Sequence, residues 1–386
     1  MQSKRIYLDN AATTAVDSEV VKAMIPYFSE HYGNASSIHK EGQDCRRVIE
    51  DARRRIAGFI NAKYDEIIFT GSGTESNNTV IKGLAFSDLG KEKNHIITSK
   101  IEHHAILEPC EFLEKRGFKV TCLDVDKEGL VNPKDVEKAI TPNTLLVTIM
   151  HANNEIGTIQ PIEEIAKICK RKNVLFHTDA VQSFGKIRID VRKMNIDFLS
   201  ASAHKIYGPK GVGMLYMRKG ISIEPLLAGG GHEFGVRSST ENVAGIQGLS
   251  KAVEICRKEM NSDAKRILSL RDYLIKEMLK VPNTRLNGGI SKRLYNNANF
   301  SFSGIEGESL IMHLDMGGIA ASTGSACSTK SLKPSHVLTA IGLDHVTAHG
   351  SLRLTLGRHT TKQEIDYAIQ KTKEIVENLR KISPIS

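Results

Sequence analysis

The fold in the middle of this chain is indicated by one stretch of sequence, Ser200-Ala-Ser-Ala-His-Lys-Ile-Tyr-Gly-Pro-Lys-Gly-Val-Gly213. It predicts a short apolar strand from Asp197 to Ala201, a glycine-punctuated turn, and a second strand from Val212 to Met217. Lys205 is therefore expected where a strand ends, at the rim of a sheet. A lysine held there can form a Schiff base with a carbonyl compound. The alternative, that Lys205 is one of many solvated lysines, stays open on this stretch alone, since short motifs also occur by chance.

The residues around this lysine suit pyridoxal phosphate (PLP), an aldehyde that carries a phosphate. Ser202 and His204 offer a hydroxyl and an imidazole to the phosphate. Upstream, Val174-Leu-Phe-His-Thr-Asp-Ala-Val-Gln-Ser183 predicts a buried parallel strand that ends in polar residues. Asp179 can pair with the pyridine nitrogen and keep it protonated, while Gln182 can hydrogen-bond the phenolic oxygen of the ring. Asp179 can equally be a helix N-cap.

A glycine-rich turn follows another predicted strand, in Glu66-Ile-Ile-Phe-Thr-Gly-Ser-Gly-Thr-Glu-Ser-Asn-Asn-Thr79. Unpaired N–H groups and the dipole at a helix N-terminus favour an anion, so Gly73 and Thr74 form a candidate phosphate cradle. The turn is neither a Walker loop nor a dinucleotide fingerprint, because Gly71 and Gly73 are not followed by the required glycine or lysine. A nucleotide site is therefore not supported.

Two histidines stand in Glu102-His-His104, directly after the predicted strand Ile96 to Ser99. One imidazole at a strand end can stack on a flat cofactor and later move protons, and a structural histidine is the alternative. A metal site is not favoured, because neighbours in an extended segment point to opposite faces and no cysteine or carboxylate cluster has zinc spacing.

Cys327 lies in a run of small and polar residues, Ile319-Ala-Ala-Ser-Thr-Gly-Ser-Ala-Cys-Ser-Thr-Lys-Ser-Leu-Lys-Pro334. This composition predicts a mobile surface loop, where a thiol can become a nucleophilic thiolate. The other cysteines lie in apolar-periodic helices or strands and are expected to be core or half-buried side chains. They are Cys45, Cys110, Cys122, Cys169 and Cys256.

An arginine stands among apolar neighbours in the predicted strand Ser351-Leu-Arg-Leu-Thr-Leu-Gly357. A partly buried guanidinium favours a bidentate anion. Arg353 is therefore a candidate ligand for a substrate carboxylate.

Composition agrees with a large intracellular protein. The chain has 386 residues, enough for two domains, and neither a long apolar run nor a signal-type apolar stretch after Met1-Gln-Ser-Lys-Arg5. Its six cysteines show no disulfide pattern, so a reducing, cytoplasmic location is expected. The net charge of +9 is spread over predicted helices, and no basic run is interleaved with aromatics. A membrane or nucleic-acid role is therefore not expected.

The predicted elements form an α/β pattern, a mostly parallel seven-stranded sheet flanked by helices, over residues 15–257. The strands are expected near residues 66–70, 95–99, 119–125, 145–150, 174–179, 198–202 and 212–217. Beyond residue 258 the pattern changes to helices, including Asn261 to Lys280, and short strands. Residues 1–14 and 258–386 are expected to form a smaller α+β domain that carries the cysteine loop at about 318–333. The cofactor is expected where the two domains meet.

Taken together, these motifs resemble the cysteine desulfurases of the NifS/IscS group, within the class V (fold-type I) PLP enzymes. The resemblance extends over nearly the whole chain. Its motifs are Tyr7-Leu-Asp-Asn-Ala-Ala-Thr-Thr14, Tyr32-Gly-Asn-Ala-Ser-Ser37, Gly73-Thr-Glu-Ser-Asn77, His151-Ala-Asn-Asn-Glu-Ile-Gly157, Ser202-Ala-His-Lys205, Gly229-Gly-Gly-His-Glu233 and Gly324-Ser-Ala-Cys327. Ala35 departs from the proline that the family usually has. The chain ends at Ser386 without the longer tail that some members use to dock a scaffold protein.

The resemblance implies a role for each candidate residue. It implies that Lys205 binds PLP covalently and that Cys327 is the nucleophile that takes the sulfur. It also implies that His103 stacks on the cofactor ring, and that Asp179 and Gln182 hold the ring. The phosphate would be held by Gly73, Thr74, Ser202 and His204, and Thr240 would reach the phosphate in the partner subunit. Asn154 and Arg353 would bind the substrate carboxylate, and Asn154 would also contact the cofactor.

The activity implied is the conversion of L-cysteine to L-alanine by a homodimer, with the sulfur held as a persulfide on Cys327. The sulfur would pass to an iron–sulfur scaffold protein or another acceptor, and Cys327 could transiently ligate a [2Fe–2S] cluster. The alternatives are a selenocysteine lyase, another class V aminotransferase, or a non-catalytic assembly partner. Loss of Lys205 or Cys327 would have indicated the last of these, and both are present.

Overall fold

The computed structural model describes residues 5–323 and 334–383. In chain order its strands are β1 (Ile6–Tyr7), β2 (Ile67–Thr70), β3 (His95–Ser99), β4 (Lys119–Leu123), β5 (Thr144–Thr148), β6 (Leu175–Asp179), β7 (Phe198–Ser202), β8 (Gly213–Met217), β9 (Thr284–Leu286), β10 (Asn297–Phe302), β11 (Ile319–Ala320) and β12 (Ser351–Thr355). Its helices are α1 (Ser18–Met24), α2 (Pro26–Ser29), α3 (Lys40–Phe59), α4 (Gly73–Phe86), α5 (Asp88–Glu92), α6 (His104–Glu114), α7 (Pro133–Ala139), α8 (Ile162–Arg171), α9 (Val243–Met278), α10 (Gly307–Met316), α11 (His336–Ala340), α12 (His345–His349) and α13 (Lys362–Ile382). None of the helices in these ranges combines the length and the apolar character that a membrane span requires.

The main sheet has the strand order β2-β8-β7-β6-β5-β3-β4. β8 is antiparallel to β7 and β2, whereas the pairs among β3 to β7 are parallel. β8 is reversed because residues 203–212, which connect it to β7, are too few for a parallel crossover of about a dozen residues or more. The mostly parallel seven-stranded α/β sheet expected from the sequence is confirmed.

Both faces of this sheet are covered, which is why its central strands are apolar throughout. Phe198 and Leu199, neighbours in β7, belong to different apolar cores, as the alternation of a strand requires. The core around Leu199 includes residues of α3, α8 and α9, and the core around Phe198 includes residues of α4 and α6. The helices therefore hold the strand ends, and the polar residues that follow them, in fixed positions.

A second, smaller sheet has β10 between β9 and β12, with both pairs antiparallel. Beside it, β1 pairs with β11 in parallel, so the N-terminal strand joins elements from the far end of the sequence. This region has its own apolar core, to which α10, α13 and the second half of α9 contribute.

The long helix α9 differs from the sequence prediction. A helix was expected from Asn261 to Lys280, and the structure has one continuous helix, Val243–Met278. Buried residues recur on both sides of Asn261, because the first half packs on the main sheet and the second half on the smaller core. The helix therefore crosses the boundary that the sequence pattern places near residue 258.

Cys122 is also placed differently from the expectation. It is exposed, whereas Cys45, Cys110, Cys169 and Cys256 are buried. The reason is that β4 is the edge strand of the main sheet, so its residues are covered less completely than those of the central strands.

Candidate functional site

A cavity of about 450 Å³ lies at the carboxyl ends of β5, β6 and β7. This is the edge at which open α/β sheets bind their ligands. The cavity brings together most of the residues singled out in the sequence. They are Gly73, Thr74, His103, Asn154, Asp179, Gln182, Ser202, His204, Lys205 and Arg353.

Lys205 ends a short 3₁₀ turn, Ala203–Lys205, that follows β7 directly. Its Nζ donates hydrogen bonds to the carbonyl oxygens of Ala11 at 2.6 Å and Ala12 at 2.7 Å. Ala11 and Ala12 both line the same cavity. The amine therefore lies inside the cavity, at the end of a strand, and not on the solvated surface of a helix.

Asp179 lies at the end of β6 with both carboxylate oxygens accepting hydrogen bonds. Oδ2 accepts from Asn77 Nδ2 at 2.7 Å, and Oδ1 accepts from the Val181 N–H at 2.9 Å. Asn77 is buried on α4, and its own Oδ1 has no partner among the described residues. Asn77 therefore orients the Asp179 carboxylate, a contact that sequence reasoning missed although the residue stands in the Gly73–Asn77 motif.

Gln182 and Lys205 are joined through one acceptor in the N-terminal segment. Gln182 Nε2 donates to the Ala11 carbonyl at 2.9 Å, and this is the oxygen that Lys205 Nζ also reaches. The buried amide is thereby fixed at the wall of the cavity.

The candidate phosphate cradle is the N-terminus of α4, a helix of 14 residues. Ser72 caps it by accepting the Glu75 N–H at 3.1 Å, while the first N–H groups of any helix have no partner within the helix. A Cβ atom on Gly73 would lie 2.5 Å from Val181 Cγ2, so a larger residue at this position would force Val181 or the start of the helix to shift. Ser202 and His204 line the same cavity. The positive end of the α4 dipole and these side chains suit a phosphate.

Two of the histidines that line the cavity, His103 and His204, are held in the neutral form. Burial, together with the charges of Lys205, Lys210 and Lys186, lowers the pKa of His204 to about 4. Burial also lowers the pKa of His103; the Asp179 carboxylate opposes this shift, and Lys205 adds to it. His103 caps α6, since its Nδ1 accepts the Ala105 N–H at 3.0 Å. It therefore combines a structural role with a ring that lines the cavity, and Nε2 remains for proton transfer.

Arg353 is buried in β12, with only 3% of its surface exposed. One terminal nitrogen donates to the Asn154 carbonyl at 3.0 Å, and the other donates to Asp9 Oδ1 at 2.8 Å. Asp9, in the motif that begins at Tyr7, is a second residue that sequence reasoning missed. It holds the guanidinium at the cavity wall and balances part of its charge.

Replacing Asp9 with alanine is expected to weaken binding of an amino-acid substrate more than it slows turnover. The guanidinium of Arg353 would lose its carboxylate partner and its fixed direction. For L-cysteine, the substrate that the resemblance implies, we expect KM to rise about tenfold and kcat to change less than about threefold, measured by steady-state kinetics. Asp197→Ala is the matched control, because Asp197 also pairs with an arginine, at 2.8 Å, and its side chain is equally exposed at 18%. An unchanged KM in the Asp9 variant would contradict the positioning role.

Of the predicted site residues, one lies away from this cavity and another is not among the described residues. Thr240 is exposed and does not line it. Cys327, with the rest of residues 324–333, lies outside the described residues.

The residues at the cavity fit PLP. Three groups of the protein surround one space, and each suits one part of this flat molecule. The lysine amine suits the aldehyde, the hydrogen-bonded carboxylate suits the pyridine nitrogen, and the helix N-terminus suits the phosphate. The buried Asn77 Oδ1, which has no partner among the described residues, adds an acceptor beside the carboxylate.

Comparison with known proteins agrees with this geometry. The aminotransferase class-V family profile matches residues 6–368. The chain is 55% identical to the cysteine desulfurase IscS of Dictyoglomus turgidum, an alignment that covers 99% of this chain and 97% of the relative. A solved NifS-like protein superposes with a TM-score of 0.92 at 41% identity, covering 97% of this chain and all of the other. A second structure, described as SspA in complex with cysteine, has a TM-score of 0.82 at 40% identity and covers 92% of this chain and all of the other.

The chain therefore belongs to the class-V aminotransferases, a family of PLP-dependent enzymes. Within that family its similarity is to the cysteine desulfurases of the NifS and IscS kind.

Proposed function

We propose that this protein is a cysteine desulfurase, a PLP-dependent enzyme that removes sulfur from L-cysteine and releases L-alanine. The observation that carries the proposal is the convergence of the Lys205 amine, the Asp179 carboxylate and the Arg353 guanidinium on one cavity. The high identity to a desulfurase over nearly the full chain supports it.

When bound, PLP supplies an electron sink that weakens bonds around the Cα of the substrate. Lys205 would hold the cofactor through its amine, and the same amine would take the Cα proton of the substrate. Asp179, oriented by Asn77, keeps a proton at the pyridine nitrogen. Arg353, together with the Asn154 side chain, binds the substrate carboxylate. Neutral His103 carries its proton on Nε2, because Nδ1 accepts the Ala105 N–H, and it can donate that proton into the cavity.

The sulfur step requires a nucleophile, which we assign to Cys327. Its thiolate attacks the substrate sulfur, so an S–S bond forms while the Cβ–S bond breaks. The electron pair of the broken bond stays with the substrate carbons, which take up protons and leave as L-alanine. The enzyme keeps a persulfide on Cys327, and the reaction balances without an external oxidant or reductant.

The fate of the sulfur belongs to the same proposal. We place the protein in the cytoplasm, where the persulfide passes to an iron–sulfur scaffold protein or another sulfur acceptor. Cys327 as a thiolate can also ligate a [2Fe–2S] cluster transiently while the scaffold is bound. The similarity to IscS proteins supports this placement.

We also propose two domains, residues 15–257 and residues 1–14 with 258–386. The pairing of β1 with β11 and the separate apolar core around β10 support this division. The cofactor cavity then lies between the domains, since Lys205 comes from the first and Arg353 from the second.

The protein is expected to act as a homodimer in which Thr240 reaches the cofactor phosphate of the partner subunit. The segment that leads to Thr240 is firmly held, which supports this role: Glu233 pairs with buried Arg53 at 2.7 Å, and Arg237 pairs with Glu75 at 2.8 Å. Sedimentation equilibrium should give twice the chain mass. A monomer that is loaded with cofactor and active would contradict the proposal.

The test of the function is the product formed from L-cysteine. Purified protein with PLP and a thiol reductant is expected to release L-alanine and sulfide in equal amounts. Release of a keto acid would indicate an aminotransferase. Turnover of selenocysteine but not of cysteine would indicate a selenocysteine lyase.

A further inference from the structure

Lys186 is a lysine that the proposed chemistry does not use, and it lies directly behind the site. It follows Gln182 in the loop after β6. Its Nζ donates hydrogen bonds to two main-chain carbonyls, that of Gln182 at 2.9 Å and that of Lys205 at 3.3 Å. These carbonyls belong to two residues that line the cofactor cavity.

The same two residues are joined a second time by their side chains, which share the Ala11 carbonyl as acceptor. Gln182 and Lys205 are thus tied together at the main chain by Lys186 and at the side chain by Ala11. The direction in which the Lys205 side chain leaves its backbone is therefore set partly by the ammonium of Lys186.

The charge of Lys186 also affects the pKa values of the groups around Lys205. A small cavity of about 20 Å³ touches both Lys186 and Lys205. Burial and the Lys205 charge, opposed by Cys256, lower the pKa of Lys186 to about 8. Both ammonium groups also lower the pKa of His204. The charged or titratable groups that face this pair are His103, Asp179, His204, Lys210, Cys256, Asp263, Tyr207, Tyr295 and Arg358.

We propose that Lys186 is a positioning residue that directs Lys205 into the cofactor cavity and favours the neutral form of its amine. The inference rests on the proposed covalent link between PLP and Lys205. Two ammonium groups close together in a partly buried site repel each other, so protonation at Lys205 becomes harder. A neighbouring cation is an established way to keep a lysine unprotonated, and therefore nucleophilic, near neutral pH.

The test is a spectroscopic pH titration of the lysine-bound cofactor without L-cysteine. The absorbance change reports the pH at which the link to Lys205 loses its proton. Lys186→Met removes the positive charge, so the proton is held more tightly and the midpoint should move upward by about one pH unit. Lys186→Arg keeps the charge and should keep the wild-type midpoint.

A second neutral variant separates charge from hydrogen bonding. Lys186→Gln keeps an N–H donor for one carbonyl but no charge, and it should show the same upward shift as Lys186→Met. It also decides the question if the methionine variant fails to fold. Lys251→Met is the matched control, since Lys251 lies on α9, is 26% exposed and pairs with Glu254, and its loss should leave the midpoint unchanged.

The proposal would be overturned if the neutral variants had the same titration midpoint as the wild type. It would also be overturned if the midpoint of Lys186→Arg were shifted. In the kinetic assay we expect the neutral variants to lose kcat, with the KM for L-cysteine within about twofold of wild type. The titration contains no substrate, so it still decides this inference if the protein fails to release L-alanine from L-cysteine.

Discussion

Lys205→Ala is expected to abolish both the covalent attachment of PLP and the release of alanine. One amine is assigned two tasks, holding the cofactor and moving the Cα proton, and no other lysine lines the described cavity. A positioned proton-transfer group alone contributes about 10²–10⁴-fold, so we expect the rate to fall by at least about 10³-fold. The variant should still bind PLP, loosely and without a covalent bond.

Borohydride reduction followed by peptide mass spectrometry measures this directly, because reduction makes the link between lysine and cofactor permanent. The label should appear on the peptide that contains Lys205 and should be absent from the variant. Lys210→Ala is the control, since Lys210 is an exposed lysine of the same turn and should leave the label and the rate unchanged. A permanent label on another lysine in the wild-type protein would show that the assignment is wrong.

Cys327→Ser should separate cofactor chemistry from sulfur transfer. The variant should bind PLP and L-cysteine as the wild type does, because the residues that hold them lie elsewhere. Alanine release should fall by at least about 100-fold, since a hydroxyl is not ionised near neutral pH and a thiolate is the nucleophile required.

Mass spectrometry after treatment of the wild type with L-cysteine should find one extra sulfur on the Cys327 peptide. Cys122→Ser is the matched control: Cys122 is exposed, whereas the remaining described cysteines are buried, and its loss should leave alanine release unchanged. Full desulfurase activity in Cys327→Ser would mean that another group takes the sulfur.

Much of the candidate site was predictable because parallel strands align their carboxyl ends. Asp179 ends β6, and Lys205 follows β7. Each lies just after an apolar run whose length and composition indicate a strand, so their proximity follows from the sheet alone. Gly73 and Thr74 were recognisable for a similar reason, because a glycine turn before a helical pattern marks a helix N-terminus.

Two contacts at the site were not predicted from the sequence, and each joins distant segments through one pair of polar side chains. Asp9 meets Arg353 across 344 residues, and Asn77 meets Asp179 across 102. Neither pair has a periodic signal, since an aspartate or an asparagine is compatible with a turn, a cap or a surface. The role of Lys186 was also not predicted, because a lysine that follows a strand usually faces solvent.

The sequence by itself determined the seven strands, the α/β class and the main polar candidates at the cavity, because hydrophobic periodicity and turn residues are local properties of the chain. Only the tertiary structure decided which polar groups meet, where α9 begins and that Cys122 lies on an edge strand. Those outcomes depend on strand order and on packing between segments far apart in the chain, which local patterns do not encode. The partners of Lys205, Asp179 and Arg353, and therefore the chemistry proposed for them, were set at that level.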